Sequence, residues 1–282
     1  MKKTLTTLHQ YGKMNSDNSI DFLIYIPHAS SDATWISSIR ETSLYNTDNF
    51  TDRLLQSYVY HEADIGMLEV AQSCIDNVWD IGISISILVV DIPRAICDMN
   101  RPFDRAVPPI LDNAKWQSVY DEATSEISAV MSRSKFCLQL HSMCSFDPIV
   151  SFRFDESVSP DQMWDFLSGG YAGKRRHCNL LTSTTEGVYK SNGQYDALLS
   201  EWFVERAIPL EYNTAYHLVP EYPSASIMDI VPSSFIEITK GSLANNDTID
   251  MIDNNQIILN TDKINIFWEI LAKSISQYTQ LK

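Results

Sequence analysis

Apolar residues follow two rhythms along this chain. Runs of strand length recur at residues 21–28 (DFLIYIPH), 83–91 (ISISILVVD), 135–142 (KFCLQLHS), 148–154 (PIVSFRF) and 234–241 (SFIEITKG). Between them the apolar positions recur at helical spacing, and the alternation of the two patterns predicts α/β layering. Over 47–60, Phe50, Leu54, Leu55 and Tyr58 fall on one side of a helix, with Thr47 as its N-cap and Asp48 and Asp52 together on the opposite face. Further helices are predicted at 62–79, 112–133, 195–207 and 263–279. The last carries an apolar stripe of Ile264, Ile266, Phe267, Ile270, Leu271 and Ile275 that reads as core contact. The polar stretch 241–256 reads as surface turns, and 155–232 as an insertion over the sheet. No repeat or linker divides the chain, so residues 1–282 are expected to form one domain: α/β, with a mixed central sheet flanked by helices.

Composition narrows the function classes. Thirty-six acids against 21 bases give a formal net charge of −15. That balance argues against general attraction to nucleic acid or to an anionic membrane, while leaving room for a local basic pocket. Cys74, Cys97, Cys137, Cys144 and Cys178 are odd in number and lack the CxxC spacing of a zinc ribbon, so a reducing cytoplasm is the simpler compartment. The start of the chain has two lysines without an apolar segment behind them, and no later stretch approaches the ~20 apolar residues of a membrane span.

Against that acidic background, Arg94, Arg101 and Arg105 lie within a dozen residues, directly after a predicted strand. The concentration of cation implies an anionic small molecule. Two histidines, His28 and His141, stand where strands run out, and ligands of open α/β sheets gather beyond the carboxyl ends of strands. With one carboxylate they would supply the nitrogen and oxygen set that holds catalytic zinc and leaves a position for water. Asp48 and Asp52 are the nearest helical carboxylates, although both also suit the N-terminal charge of a helix, and Asp52 could pair with Arg53. Glu237 lies between Ile236 and Ile238 on a predicted strand, where a carboxylate is costly to bury without a purpose; a structural pairing with Lys240 is the alternative. Cys144 follows His141 by three residues, a spacing that enforces no contact beyond a strand end. G-x-S-x-G, phosphate-loop and dinucleotide motifs are lacking.

The segments IPHAS, TDNFTDRLL, DMNRP, LQLHSM and FIEITK occur here in an order that resembles the N-formylglutamate amidohydrolase family, itself similar to the zinc carboxypeptidases. The resemblance covers about residues 20–150 and returns at 230–241. It implies a zinc-exopeptidase-like three-layer fold and one zinc ion per chain, held by His28, His141 and an acid of the Thr-Asp motif, with Asp48 favoured over Asp52. It further implies Asn100 and Arg101 as the clamp for a substrate carboxylate. Arg94 would stabilise an oxyanion or a second carboxylate, and Glu237 would be the general acid/base. The chain departs from the family pattern at Thr239 and Lys240, since an arginine commonly stands two residues after that glutamate.

The expectation is therefore a zinc-dependent amidohydrolase whose partner is a small anionic N-acyl amino acid such as N-formylglutamate, with no nucleic acid and no membrane partner. A metallocarboxypeptidase-like enzyme acting on peptides is the nearest rival, distinguished by the shape of the pocket. A non-catalytic protein that binds an anionic metabolite is the second, distinguished by tight carboxylate binding without turnover when zinc is added.

Overall fold

The computed structural model describes residues 4–78, 81–150, 152–245 and 257–281. The chain opens with β1 (Thr6–Gly12), β2 (Phe22–Ile26), α1 (Ile36–Thr42), α2 (Asp52–Glu62), α3 (Met67–Val78) and β3 (Ser84–Val90). It continues through α4 (Phe103–Ala106), α5 (Asn113–Met131), β4 (Cys137–Met143), β5 (Phe146–Pro148), α6 (Pro160–Gly169) and β6 (Tyr171–Arg175). The remainder is β7 (Cys178–Leu181), α7 (Gly193–Glu205), β8 (Leu210–Tyr212), α8 (Pro223–Ile230), β9 (Ser233–Thr239) and α9 (Thr261–Gln280).

Seven of these strands form one mixed sheet in the order β1-β3-β2-β4-β9-β7-β8, with β3, β2, β4 and β9 parallel. β1 runs antiparallel to β3 and β7 antiparallel to β9, while β8 is parallel to β7. The strands β2, β3, β4 and β9 are buried at every position, which explains their nearly continuous apolar runs. Helices cover both faces. One face packs Leu54 and Leu55 of α2 and Trp116 and Ile127 of α5 against the sheet; the other packs α3, α7 and α9 against Ile24, Ile87, Leu140 and Ile236. The stripe expected on the C-terminal helix is in that second core except for Ile266, which packs at its margin.

Several local details differ from the sequence reading. The N-cap of α2 is Thr51, whose side chain accepts from the Leu54 amide at 3.2 Å, and Thr47 lies upstream in a turn. Among the described residues of the run 148–154, none beyond Pro148 is in a strand; Phe152 and Phe154 instead pack on Tyr58. Within 155–232, β7 and β8 extend the main sheet and α7 packs on a face of it, while Tyr216, His217, Tyr222 and Ser224 reach the pocket described below. The polar stretch 241–256 lies outside the described residues from 246 onward.

The topology places the site. The chain passes from β2 to β3 on one side of it, then returns to β4 on the other, so the connections diverge at the carboxyl ends of β2 and β4. A crevice opens at such a reversal. His28 lies two residues beyond β2, and His141 lies in the carboxyl half of β4.

Candidate metal and hydrolytic site

His28 and His141 meet at the strand ends, with ring centroids 5.2 Å apart and both side chains buried. The acid that joins them is Asp64, in the short link between α2 and α3. Its amide donates to the His28 carbonyl at 2.7 Å, and its Oδ1 accepts from the Ser142 amide at 2.9 Å. Those two bonds tie the link to both strand ends. Gly66 follows with φ +87°, a conformation that lets the chain turn at once into α3. Asp64 Oδ2 is left 3.3 Å from His28 Nδ1 and 3.5 Å from a His141 ring nitrogen.

This corrects the expected acidic ligand. Asp48 is exposed in the turn before α2, its amide bonded to Asn46, and Asp52 is an exposed helix residue paired with Arg40 at 2.5 Å. Neither belongs to the cluster. The sequence carried one signal for Asp64: it stands between Ala63 and Ile65, both apolar and both buried, as Glu237 stands between isoleucines.

The donor set fits a divalent cation. His28 Nδ1, Asp64 Oδ2 and His141 Nε2 are buried and have no hydrogen-bond partner among the described residues, a costly condition unless something else satisfies them. Ligands ~2 Å from one tetrahedral zinc ion stand ~3.3 Å apart, the separation of His28 Nδ1 from Asp64 Oδ2, and His141 reaches the same oxygen with Nδ1 at 3.5 Å. The outer nitrogen of His28 is held in turn: Nε2 lies 2.8 Å from Asp98 Oδ1, the carboxylate-to-histidine contact that orients metal-binding imidazoles.

Burial opposes charge on His28, but Asp98 and Asp64 outweigh it and push the imidazole up to about 9. For His141 burial prevails, and the ring is held down to about 3, neutral and able to donate a lone pair. Burial would raise Asp64, yet the neighbouring histidines hold it near 2.

Glu237 faces the same space. It lies opposite His141 in the parallel pairing of β4 with β9, on the side of β9 away from Ile236 and Ile238. Burial, reinforced by the negative charge of Asp64, pushes its carboxyl up to about 8, so it can exchange a proton near neutrality. Among the described residues it has no ion pair with Lys240, whose Nζ donates to the His61 carbonyl at 2.5 Å. Cys144 lies in the same pocket with its sulfur 3.9 Å from His61 Nε2. All five cysteines are free and buried.

The arginines form one wall. Asp98 Oδ2 accepts from Arg94 Nε at 3.2 Å and from Arg101 Nε at 3.1 Å, and Arg101 also donates to the Tyr222 hydroxyl at 2.9 Å. Burial opposes ionisation of Asp98, but His28 and the two guanidiniums keep it well below the usual carboxylate range. Asn100 Oδ1 accepts from the Ser224 amide at 3.1 Å, which orients its side-chain amide. His28, His141, Glu237, Arg94, Asn100 and Arg101 thus line one pocket. Arg105 does not reach it and pairs loosely with exposed Asp104 at 3.8 Å. Another short basic run, Lys174 to His177, also lies outside this wall, and its Arg176 is engaged by Asp147 and by the Tyr216 hydroxyl.

No protein-family model and no curated protein matches the sequence. Solved structures with the same fold include an N-formylglutamate amidohydrolase from Ralstonia eutropha, with a TM-score of 0.57 and 13% identity over 98% of this chain and 98% of that one. A gene product of Agrobacterium tumefaciens has a TM-score of 0.57 and 14% identity, over 98% of this chain and 97% of that chain. At these identities the likeness is one of fold.

Proposed function

We propose that this protein is a zinc-dependent amidohydrolase that cleaves the amide bond of N-formylglutamate or a related N-acyl amino acid. The observation that carries the reading is the convergence of His28, Asp64 and His141 at the strand ends, with Glu237 directly across from His141. The Ralstonia eutropha fold neighbour supports the choice of amide substrate.

In this reading His28, Asp64 and His141 hold the metal, which when bound would lower the pKa of water and polarise the substrate carbonyl. Glu237 accepts a proton from the attacking water and returns it to the departing nitrogen, and its buried place keeps that proton from bulk solvent. Arg94 offers its outer guanidinium edge to the oxygen that gains charge at the carbonyl carbon. Asn100 and Arg101 take the substrate carboxylate, Arg101 through two parallel donors, so the amide lies in a fixed position relative to Glu237. Asp98 positions three of these groups together: His28, Arg94 and Arg101.

The test is hydrolysis of a panel of N-formyl and N-acetyl amino acids and dipeptides, with metal content measured on the same preparation. The expected result is turnover of N-acyl acidic amino acids by protein containing about one zinc per chain, as a three-ligand catalytic site requires. Tight binding of these acids without turnover at full zinc occupancy would instead identify a binding protein.

A further inference from the structure

The recess lined by His28, His141 and Glu237 is small, about 140 Å³. A cavity of ~150 Å³ holds roughly one benzene-sized group. Beside it lies a second, larger cavity of about 570 Å³ to which nothing above gives a role. Glu62, Arg94, Asp98 and Arg101 line both spaces, so one layer of side chains belongs to the two at once.

The second cavity adds Arg105 and Arg153, bringing four guanidiniums around one space in a chain whose net charge is −15. Glu62 and Asp98 are the acids of its lining. Asp98 is already shared between His28, Arg94 and Arg101, each through a nitrogen that faces inward. The terminal nitrogens of Arg94 make no hydrogen bond among the described residues, and Arg101 uses one of its own on Tyr222. Arg105 meets Asp104 at 3.8 Å with both side chains more than half exposed, a pairing too weak and too screened to occupy it. Glu62 Oε2 lies 3.8 Å from Arg94 Nε, so two lining acids face four guanidiniums; the surplus cations repel one another, and the arrangement becomes favourable when an anion enters. The apolar part of the wall is firm: Phe152 stacks on Phe166 at 4.3 Å, and Phe154 packs edge-on to Phe50 and Tyr58.

We propose that this cavity is a substrate subsite for a second anionic group. The enzyme then also takes amides that extend past the carboxylate clamp and carry a further carboxylate: N-acyl acidic peptides or peptide-like acids, in addition to a lone N-acyl amino acid. This rests on the amidohydrolase reading, in which Arg101 clamps the first carboxylate. Arg105 and Arg153 determine specificity for the second, and neither lines the catalytic recess.

The experiment is calorimetric titration of the full chain carrying E237Q, expected to slow turnover, and of the same chain with R105Q and R153Q added. The probes are glutamate and the triglutamate peptide, at one fixed ionic strength. In the E237Q chain, triglutamate is expected to bind about tenfold more tightly than glutamate, as two exposed charge pairs of ~0.5–1 kcal/mol would provide. With R105Q and R153Q that advantage should shrink to within about twofold, with the glutamate affinity unchanged. An advantage that survives the two substitutions, or that is missing at the outset, overturns the subsite. Loss of triglutamate affinity in the variant, together with no binding of glutamate by either chain, would uphold the subsite and sink the Arg101 clamp instead.

Discussion

His141 and Glu237 are direct partners across the parallel strands β4 and β9, so an imidazole and a carboxyl group stand side by side on one face of the sheet. Neighbouring strands are ~4.8 Å apart, which sets the spacing of the two side chains without any help from loops. Glu237→Gln keeps the shape and removes the ionisable oxygen. The variant should retain its metal while kcat falls by ~10²–10⁴, the usual contribution of a positioned acid/base. Elemental analysis beside steady-state kinetics checks both halves, and an undiminished kcat would remove Glu237 from the chemistry.

The four candidate ligands should separate cleanly. His28→Ala, His141→Ala and Asp64→Asn are each expected to lose most of the bound metal, because each removes one of three converging donors. Asp48→Asn should keep about one zinc per chain, since that side chain is exposed and outside the cluster. Metal content after dialysis decides between Asp64 and Asp48 directly.

Asp98→Asn should disturb metal and substrate together. The amide can still accept from His28, but its nitrogen would face the Nε–H groups of Arg94 and Arg101, where an acceptor is needed. Metal affinity is expected to fall ~10–100-fold, as for other lost partners of metal-binding histidines. A competition assay with a chelating dye reads the first effect, and KM for an N-acyl amino acid, expected to rise, reads the second.

Phe136 anchors an aromatic cluster far from the chemistry, with its ring centroid 4.9 Å from those of Phe22 and Tyr195 and 4.8 Å from that of Tyr278. Phe136→Ala should cost ~3–5 kcal/mol of stability by leaving a cavity in the second core. Urea denaturation measures it. A loss below ~1 kcal/mol would mean that the cluster collapses around the gap.

Asp196 should make stability depend on pH. Burial raises its carboxyl above the ordinary value, although Ser234, Ser191 and Tyr189 donate to it and partly offset the rise. A raised folded pKa means that the protonated acid favours the fold: its contribution is full below the unfolded value and is lost as pH rises through the folded one. Asp196→Asn cannot ionise. The denaturation midpoint of the variant relative to wild type should therefore increase as pH rises above about 4, the ordinary value of an aspartate. A difference that stays flat or decreases across that window would contradict the raised pKa.

Patterning along the chain was enough to find the elements that carry most of the pocket. The runs ending near His28, His141 and Glu237 became β2, β4 and β9, because strands buried on both faces must be almost wholly apolar and a polar residue among them stands out. Weaker elements escaped. β1 has mostly half-buried positions at the sheet edge, and β7 and β8 are four and three residues long, too short for any period to emerge.

What the amino-acid order settled by itself was the kind of element, the apolar faces, and the presence of an arginine cluster in an otherwise acidic chain. Tertiary structure alone decided which carboxylate stands between the histidines. Asp48 and Asp64 are both acids near helix ends, and no spacing rule distinguishes them. Asp64 is the partner because the α2–α3 link crosses the ends of β2 and β4, where its backbone bonds His28 and its carboxylate bonds Ser142. Periodicity describes neighbours along the chain; the meeting of a loop with two strand ends depends on how the connections cross the sheet, and that crossing is set by long-range packing.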